Sequence, residues 1–208
     1  MISKYSNTYQ IPVTTIQTRF PTQARQALIV AAAIRQAAQR SPALITTSDI
    51  AAEVGVTQGA LFKHFPTKDA IWLAAISWVS QELPARLEEA ANSAASPLQA
   101  LRAVFDAHID FVVANGGVPR LIFHELQQPG DRAVKRQVQA LLQGYQQLLL
   151  RLLGAAQLRQ GLDHGAAAML FVGIIQGLVM QSMVTGDSNA MKSKSGPVFT
   201  IYLQGICP

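Results

Sequence analysis

The sequence predicts an all-α protein, a small helical head at the N-terminus followed by a larger helical body, and three observations support this. Half of its 208 residues (50%) are hydrophobic, Ala, Leu and Gln recur throughout, and runs of β-branched residues are few, a composition that favours helix over sheet. Apolar residues return at three- and four-residue steps, as a helix with one buried face requires. Proline and glycine pairs punctuate these segments and divide the chain into rods.

Residues 1–20 lack helical periodicity and, with Pro12 and Pro21 as breakers, read as part of a flexible arm over 1–21. From Thr22 the apolar positions Ala24, Ala27, Leu28, Ala31, Ile34 and Ala38 follow a helical period, with Thr22 as a cap and Pro42 as a stop, giving a helix over 22–40. Short helices are expected over 47–54 and 58–64. A longer one runs from Lys68 toward Leu83, where Pro84 kinks or ends it. Further helices are expected over 85–94, 97–115, 118–127, 131–154 and 163–185, separated by Ser96-Pro97, Gly116-Gly117, Pro129-Gly130 and Gly161. The Gly-, Ser-, Asn- and Lys-rich segment 186–197 reads as a loop before a last short helix over 198–206. The expected domains are an arm (1–21), a head (22–68) and a body (69–208).

Charge is distributed unevenly. Residues 1–80 hold seven Lys or Arg against three Asp or Glu, whereas residues 81–208 hold ten against nine. A basic head on a nearly neutral body suits a polyanionic partner. The single cysteine, Cys207, excludes an intrachain disulfide and a cysteine metal cluster and fits a reducing cytoplasm. No signal peptide is readable at the start. The most apolar segment, Ala166 to Met180, is about 15 residues and is interrupted by Gln176, shorter than the roughly 20 residues a membrane span needs, so a buried helix is expected.

The segment Thr46 to Phe65, TTSDIAAEVGVTQGALFKHF, is the most informative. Thr46 or Thr47 caps a helix whose inward face is Ile50, Ala51 and Val54. Gly55 then permits a left-handed turn and Val56 plugs the corner. Thr57 caps a second helix whose Leu61 and Phe65, four apart, face inward, a spacing that gives a helix-turn-helix. Such a recognition helix is held by its apolar side and presents polar residues of its N-terminal part to the major groove. Thr57, Gln58, Lys63 and His64 supply donors and acceptors there. Downstream, Asp69 suits the positive end of the next helix, and Lys68 is placed to reach a phosphate.

With those residues in view, the chain resembles the TetR family of transcriptional regulators. It matches the family pattern at Thr46, Ile50-Ala51, Gly55-Val56, Leu61-Phe62, His64-Phe65 and Lys68-Asp69, and the resemblance spans about residues 22–80. Two positions depart from the pattern: Ser41-Pro42 stands where the family often has glycine, and Thr57 where its turn often has serine. Proline still ends a helix and threonine still caps one. The resemblance implies a dimeric regulator, usually a repressor, that grips palindromic double-stranded operator DNA through Thr46, Thr57, Gln58, Gly59, Phe62, Lys63, His64 and Lys68.

For the body, the resemblance implies a dimer formed by the last two long helices, with a cavity for a small-molecule effector. Gly173 and Gly177 form a small-residue step beside Leu170, Ile174, Leu178 and Gln181, and Phe199 and Tyr202 are expected to complete the dimer surface. A mostly apolar ligand is expected among Phe105, His108, Phe111, Phe123, His124, Met169, Phe171 and Met180, with Arg102 or Arg120 as further candidates for its polar end. The histidines lack metal-ligand spacing, and neither a nucleophile elbow nor a phosphate loop is present. No enzyme activity, cofactor, metal or membrane association is therefore expected. The rival reading is a helical small-molecule-binding protein without specific DNA recognition, against which the basic head speaks.

Overall fold

The structure, a computed structural model, describes residues 22–208, so the arm expected over 1–21 lies outside the described residues. These residues form nine α-helices and no strand. The head comprises α1 (Thr22–Gln39), a 3₁₀ turn at Pro42–Leu44, α2 (Thr47–Val54), α3 (Gln58–Phe62) and the first turns of α4 (Lys68–Asn92). Its centre is a dry contact of Ile29, Ile50, Leu61, Ile71 and Trp72, each fully buried. Buried apolar area of this kind stabilises by roughly 25 cal/mol per Å².

Local chemistry sets the borders of the head helices. The Thr46 hydroxyl accepts from the Asp49 amide at 3.1 Å, and the Asp49 carboxylate accepts from the Thr46 amide at 2.8 Å, a reciprocal capping box. That bonding, largest from the Thr46 amide, holds the Asp49 carboxyl below its ordinary range. Gly55 closes α2 with φ of 71°, a left-handed conformation that a side chain would strain. Its neighbour Val56 donates to the Ala51 carbonyl at 2.9 Å, which fixes the turn into α3. The sequence-based start and end of α2 coincide with these caps.

Helix α4 has 25 residues and passes from head into body as one rod of about 37 Å. Expectation and structure differ here, because Pro84 lies inside the helix and the segment expected as a separate helix over 85–94 continues it. Buried Val79, Leu83, Leu87 and Ala91 hold α4 against α5 (Pro97–Ala114) and α7 (Ala133–Ala155) on both sides of the proline. Tertiary packing offsets the cost of the missing amide.

The rest of the body is α6 (Gly117–Gln127), α8 (His164–Thr185) and α9 (Ser188–Ile206). The loop expected over 186–197 is instead the first half of α9. Asp187 caps it by accepting from the Asn189 and Ala190 amides at 2.9 and 3.1 Å, and buried Met191 and Ser195 anchor the polar segment. Pro197 lies within this helix, as Pro84 does in α4.

Helix α8 has 22 residues and is long and apolar enough, by length and composition, to cross a membrane, which exceeds the 15-residue stretch expected. Phe171, Ile175 and Val179 on one side are buried against neighbouring helices. Only 33% of its most apolar window is buried within the protomer.

Gly117, the first residue of α6, is a close contact between head and body. A Cβ built there would stand 1.8 Å from the Ile34 carbonyl oxygen of α1, so only glycine permits the two backbones to meet. The sequence marks Gly116-Gly117 as a breaker, and the structure gives Gly117 this second role.

Candidate nucleic-acid interface and body cavity

The two helices of the head motif are joined by polar as well as apolar contacts. The Thr57 hydroxyl accepts from the Ala60 amide at 3.1 Å and starts α3. Gln58 Nε2 donates to Thr47 Oγ1 at 2.7 Å, which steadies the Gln58 amide on the outer surface of the pair. Thr46, Thr57, Gln58, Gly59, Phe62 and Lys63 are all exposed, whereas Leu61 and Phe65 are buried. Gly59 has open space around its Cβ position, so internal packing does not require its lack of a side chain.

His64 and Lys68 sit differently. His64 is half-buried, its carbonyl accepts from Gln26 Nε2 at 3.4 Å, and its Nδ1 is buried without a partner among the described residues. Lys68 Nζ donates to the carbonyls of Ile45, Pro42 and Ala43 at 2.9, 3.2 and 3.3 Å. It also lies 6.0 Å from the Trp72 ring. The ammonium expected at a phosphate is thus hydrogen-bonded to three backbone carbonyls of the head. A point-charge ammonium collects carbonyl groups that the 3₁₀ turn and its C-cap leave pointing outward.

The basic excess of the head is likewise partly spent within it. Arg35 pairs with Glu53 at 2.8 Å and Arg40 with Asp49 at 3.1 Å. Lys63, at the C-cap of α3, makes no ion pair among the described residues and remains exposed.

In the body, a cavity of about 130 Å³ lies among α4, α5, α6, α7 and α8. Its walls are almost wholly apolar, including Leu83, Phe111, Ile122, Phe123 and Val138, with His108, Tyr145 and Gln176 as the polar groups. His108 Nδ1 and Tyr145 Oη are 3.1 Å apart. Burial drives the His108 ring down to about 4 and pushes the Tyr145 phenol well above its ordinary range, so both are neutral near pH 7.

The predicted ligand residues divide between several surroundings. His108, Phe111 and Phe123 line the cavity. Phe105 and Phe171 are fully buried outside its lining and meet edge to face, and the Phe199 ring lies tilted against that of Phe105 with centres 4.8 Å apart. Met169 and Met180 are exposed on α8, and half-buried His124 lies outside the lining. Arg102 is held by Asp106 at 2.7 Å, and Arg120 belongs to a separate depression. Tyr145 and Gln176 were not singled out by sequence, because the Gln- and Leu-rich pattern of α7 does not reveal which residue meets His108 across the bundle.

The predicted dimer residues divide as well. Leu170, Gly173, Gly177 and Gln181 are exposed and Ile174 half-buried, sharing one side of α8 with Val184 and adjoining Ile201 of α9. Phe199, Tyr202 and Leu178 are buried within the protomer, and Tyr202 Oη donates to the Ala167 carbonyl at 3.1 Å. A helix expected only over 198–206 does not disclose which side the full α9, Ser188–Ile206, turns inward.

One further group was missed. Glu125 of α6 is 2% exposed, and its nearest charged partner is Arg132, 3.4 Å away. Arg132 also reaches Asp69 in the first turn of α4 at 3.1 Å. Cavity helix and head helix thus share one guanidinium.

Residues 29–75 match the profile of bacterial regulatory proteins of the tetR family. The nucleoid occlusion factor SlmA of Photobacterium profundum is 28% identical over 138 residues, 64% of this chain and 70% of that protein. SlmA of Shewanella amazonensis is 26% identical over 141 residues, 66% and 72% of the two chains. Among solved structures, the regulator FadR of Bacillus subtilis in complex with stearoyl-CoA aligns with a TM-score of 0.72 at 21% identity, covering 86% of this chain and 98% of its own. SmeT, described as the repressor of a Stenotrophomonas maltophilia multidrug efflux pump, aligns at 0.69 with 23% identity, over 90% and 92% of the chains. The capped α2–α3 pair and the exposed polar side of α3 fall inside the matched segment, so residues 29–75 form a head of the type found in bacterial regulatory proteins of the tetR family.

Proposed function

We propose that two copies of this chain bind an inverted-repeat operator through α3 as a repressor, and that a mostly apolar molecule in the body cavity releases them. The observation that carries this reading is the placement of α6. It walls the cavity through Pro119, Ile122 and Phe123. Its N-terminus meets α1 at Gly117, and its C-terminal part meets α4 through Glu125, Arg132 and Asp69. A ligand that shifts α6 acts on both long helices of the head and so on the separation of two recognition helices. Structural neighbours solved with stearoyl-CoA and with triclosan support the idea that bodies of this shape accept apolar compounds.

Dimerisation through α8 and α9 is part of the same proposal. Exposed Leu170, Met169, Val184 and Ile201 give this face an apolar character that a second copy would cover. Gly173 and Gly177 have nothing near their Cβ positions within the protomer and leave room for close helix approach.

Selection of bound fragments from random duplex DNA tests the DNA-reading half. Enrichment of an inverted repeat is expected, whereas persistent failure to enrich any sequence would favour a ligand-binding protein without DNA recognition. Similarity to nucleoid occlusion factors favours a second reading, in which the DNA-bound dimer acts on cell division and not on transcription. Deleting the gene then displaces division septa and leaves transcripts near the bound sites unchanged.

A further inference from the structure

The cavity carries more information than its apolar character. Its 130 Å³ is close to the roughly 150 Å³ of an engineered protein cavity that accommodates benzene. A long acyl chain does not fit such a volume. No Asp, Glu, Lys or Arg lines it. A charged ligand group would therefore be desolvated with no counter-ion.

Polarity is concentrated at the His108–Tyr145 pair. His108 Nδ1 is engaged with Tyr145, and Nε2 has no hydrogen-bond partner among the described residues. Two proton arrangements satisfy the pair. If Tyr145 donates to Nδ1, the ring carries its proton on Nε2 and offers a donor. If Nδ1–H donates to Tyr145, Nε2 is an acceptor and the phenol O–H is free to donate elsewhere. The pair thus serves a carbonyl or a hydroxyl equally, and burial keeps both members uncharged.

We propose that the body cavity is selective for uncharged molecules of about one aromatic ring that carry a single hydroxyl or carbonyl group, which hydrogen-bonds to the His108–Tyr145 pair. This rests on the reading of that cavity as the effector site and specifies the class of effector.

Calorimetry on the full chain with four probes tests it. These are 4-methylphenol, toluene, 4-methylbenzoate and 1-decanol, titrated at pH 7.5. The phenol is expected to bind, toluene to bind about 3- to 10-fold more weakly for want of one hydrogen bond, and the carboxylate and the long alcohol to give no measurable binding. Combining Tyr145→Phe with His108→Leu removes both polar groups of the pair, and it should shrink the difference between phenol and toluene toward onefold. Thermal melting confirms that this variant is folded, and the wild-type probe series stands without it.

Binding of the carboxylate as tightly as the phenol overturns the selectivity for uncharged ligands, and tight 1-decanol binding overturns the size limit. Failure of all four probes overturns the proposal outright. Failure of the regulatory reading looks different: the phenol binds with the expected selectivity, yet operator affinity does not change.

Discussion

Head and body of this molecule are held together by different chemistry. In the head, named polar contacts specify the geometry: the Thr46–Asp49 box, the Thr57 cap, the Gly55 turn and three carbonyl groups gathered by Lys68. In the body, apolar contact dominates, and polar groups appear at isolated points such as His108–Tyr145 and Glu125–Arg132. The head presents one rigid surface, whereas the body leaves a cavity inside and an apolar face outside. Where geometry is set by short-range hydrogen bonds, a surface is fixed before any partner arrives. Where it is set by non-directional packing, room remains for a ligand and for a second copy.

Breaking the outer face of the body should have the largest effect. Gly177→Arg places a charge on the exposed side of α8 without a clash inside the protomer. Monomers by light scattering and loss of operator binding are expected. A dimeric, DNA-binding variant would place the interface elsewhere.

Next in size is the seam between the two regions. Gly117→Ala drives a methyl group into the Ile34 carbonyl, and α1 and α6 must separate. Destabilisation of about 1 to 3 kcal/mol, in the range of overpacked cores, is expected in urea unfolding. The same change at open Gly59 should leave stability nearly unaltered, and equal losses at the two sites would refute the close contact.

The body carries a pH dependence at His108. The unfolded chain protonates His108 near 6.5 and the folded one only near 4, so the unfolded state binds more protons between those values. Its contribution to stability is present above pH 6.5 and is lost progressively as pH falls toward 4. A decrease on the order of 2 kcal/mol between pH 7 and 4.5 is expected, and His108→Gln should flatten that part of the curve. An unchanged slope in the variant would show that His108 is not the group responsible.

The smallest effects separate two polar residues of the head. Gln58→Ala should relax base preference by about 1 to 2 kcal/mol while leaving the melting temperature unchanged. Lys68→Ala strands three carbonyls, and it should lower the melting temperature without altering the salt dependence of DNA binding. A reduced salt slope for Lys68→Ala would restore a phosphate contact.

The same contrast explains what the sequence discloses. Caps and the glycine turn act over three or four residues, so the limits of α2 and the start of α3 were readable from Thr46, Gly55 and Thr57 alone. Lys68 acts across more than 20 residues to reach Pro42 and Ile45, and no local pattern discloses those contacts. In the body, Pro84 and the Gly-, Ser-, Asn- and Lys-rich segment 186–197 signal breaks that packing overrides, which hid the continuity of α4 and half of α9. His108, Phe111 and Phe123 were named for the cavity by residue type, but Tyr145 and Gln176 complete it from helices whose relative rotation no local pattern encodes. Apolar periodicity marks a buried side without saying whether it meets core, cavity or partner, which is why Phe199 and Tyr202 were expected at a dimer surface although they lie inside the protomer.

The link between cavity and recognition helix is tested most directly by measuring one compound's affinity for the cavity twice, with and without saturating operator duplex. If α6 transmits occupancy to α1 and α4, operator should weaken ligand binding by the factor with which ligand weakens operator binding, about 5- to 150-fold for a coupling of about 1 to 3 kcal/mol. Identical affinities with and without operator would contradict the coupling, while leaving the DNA-binding head intact.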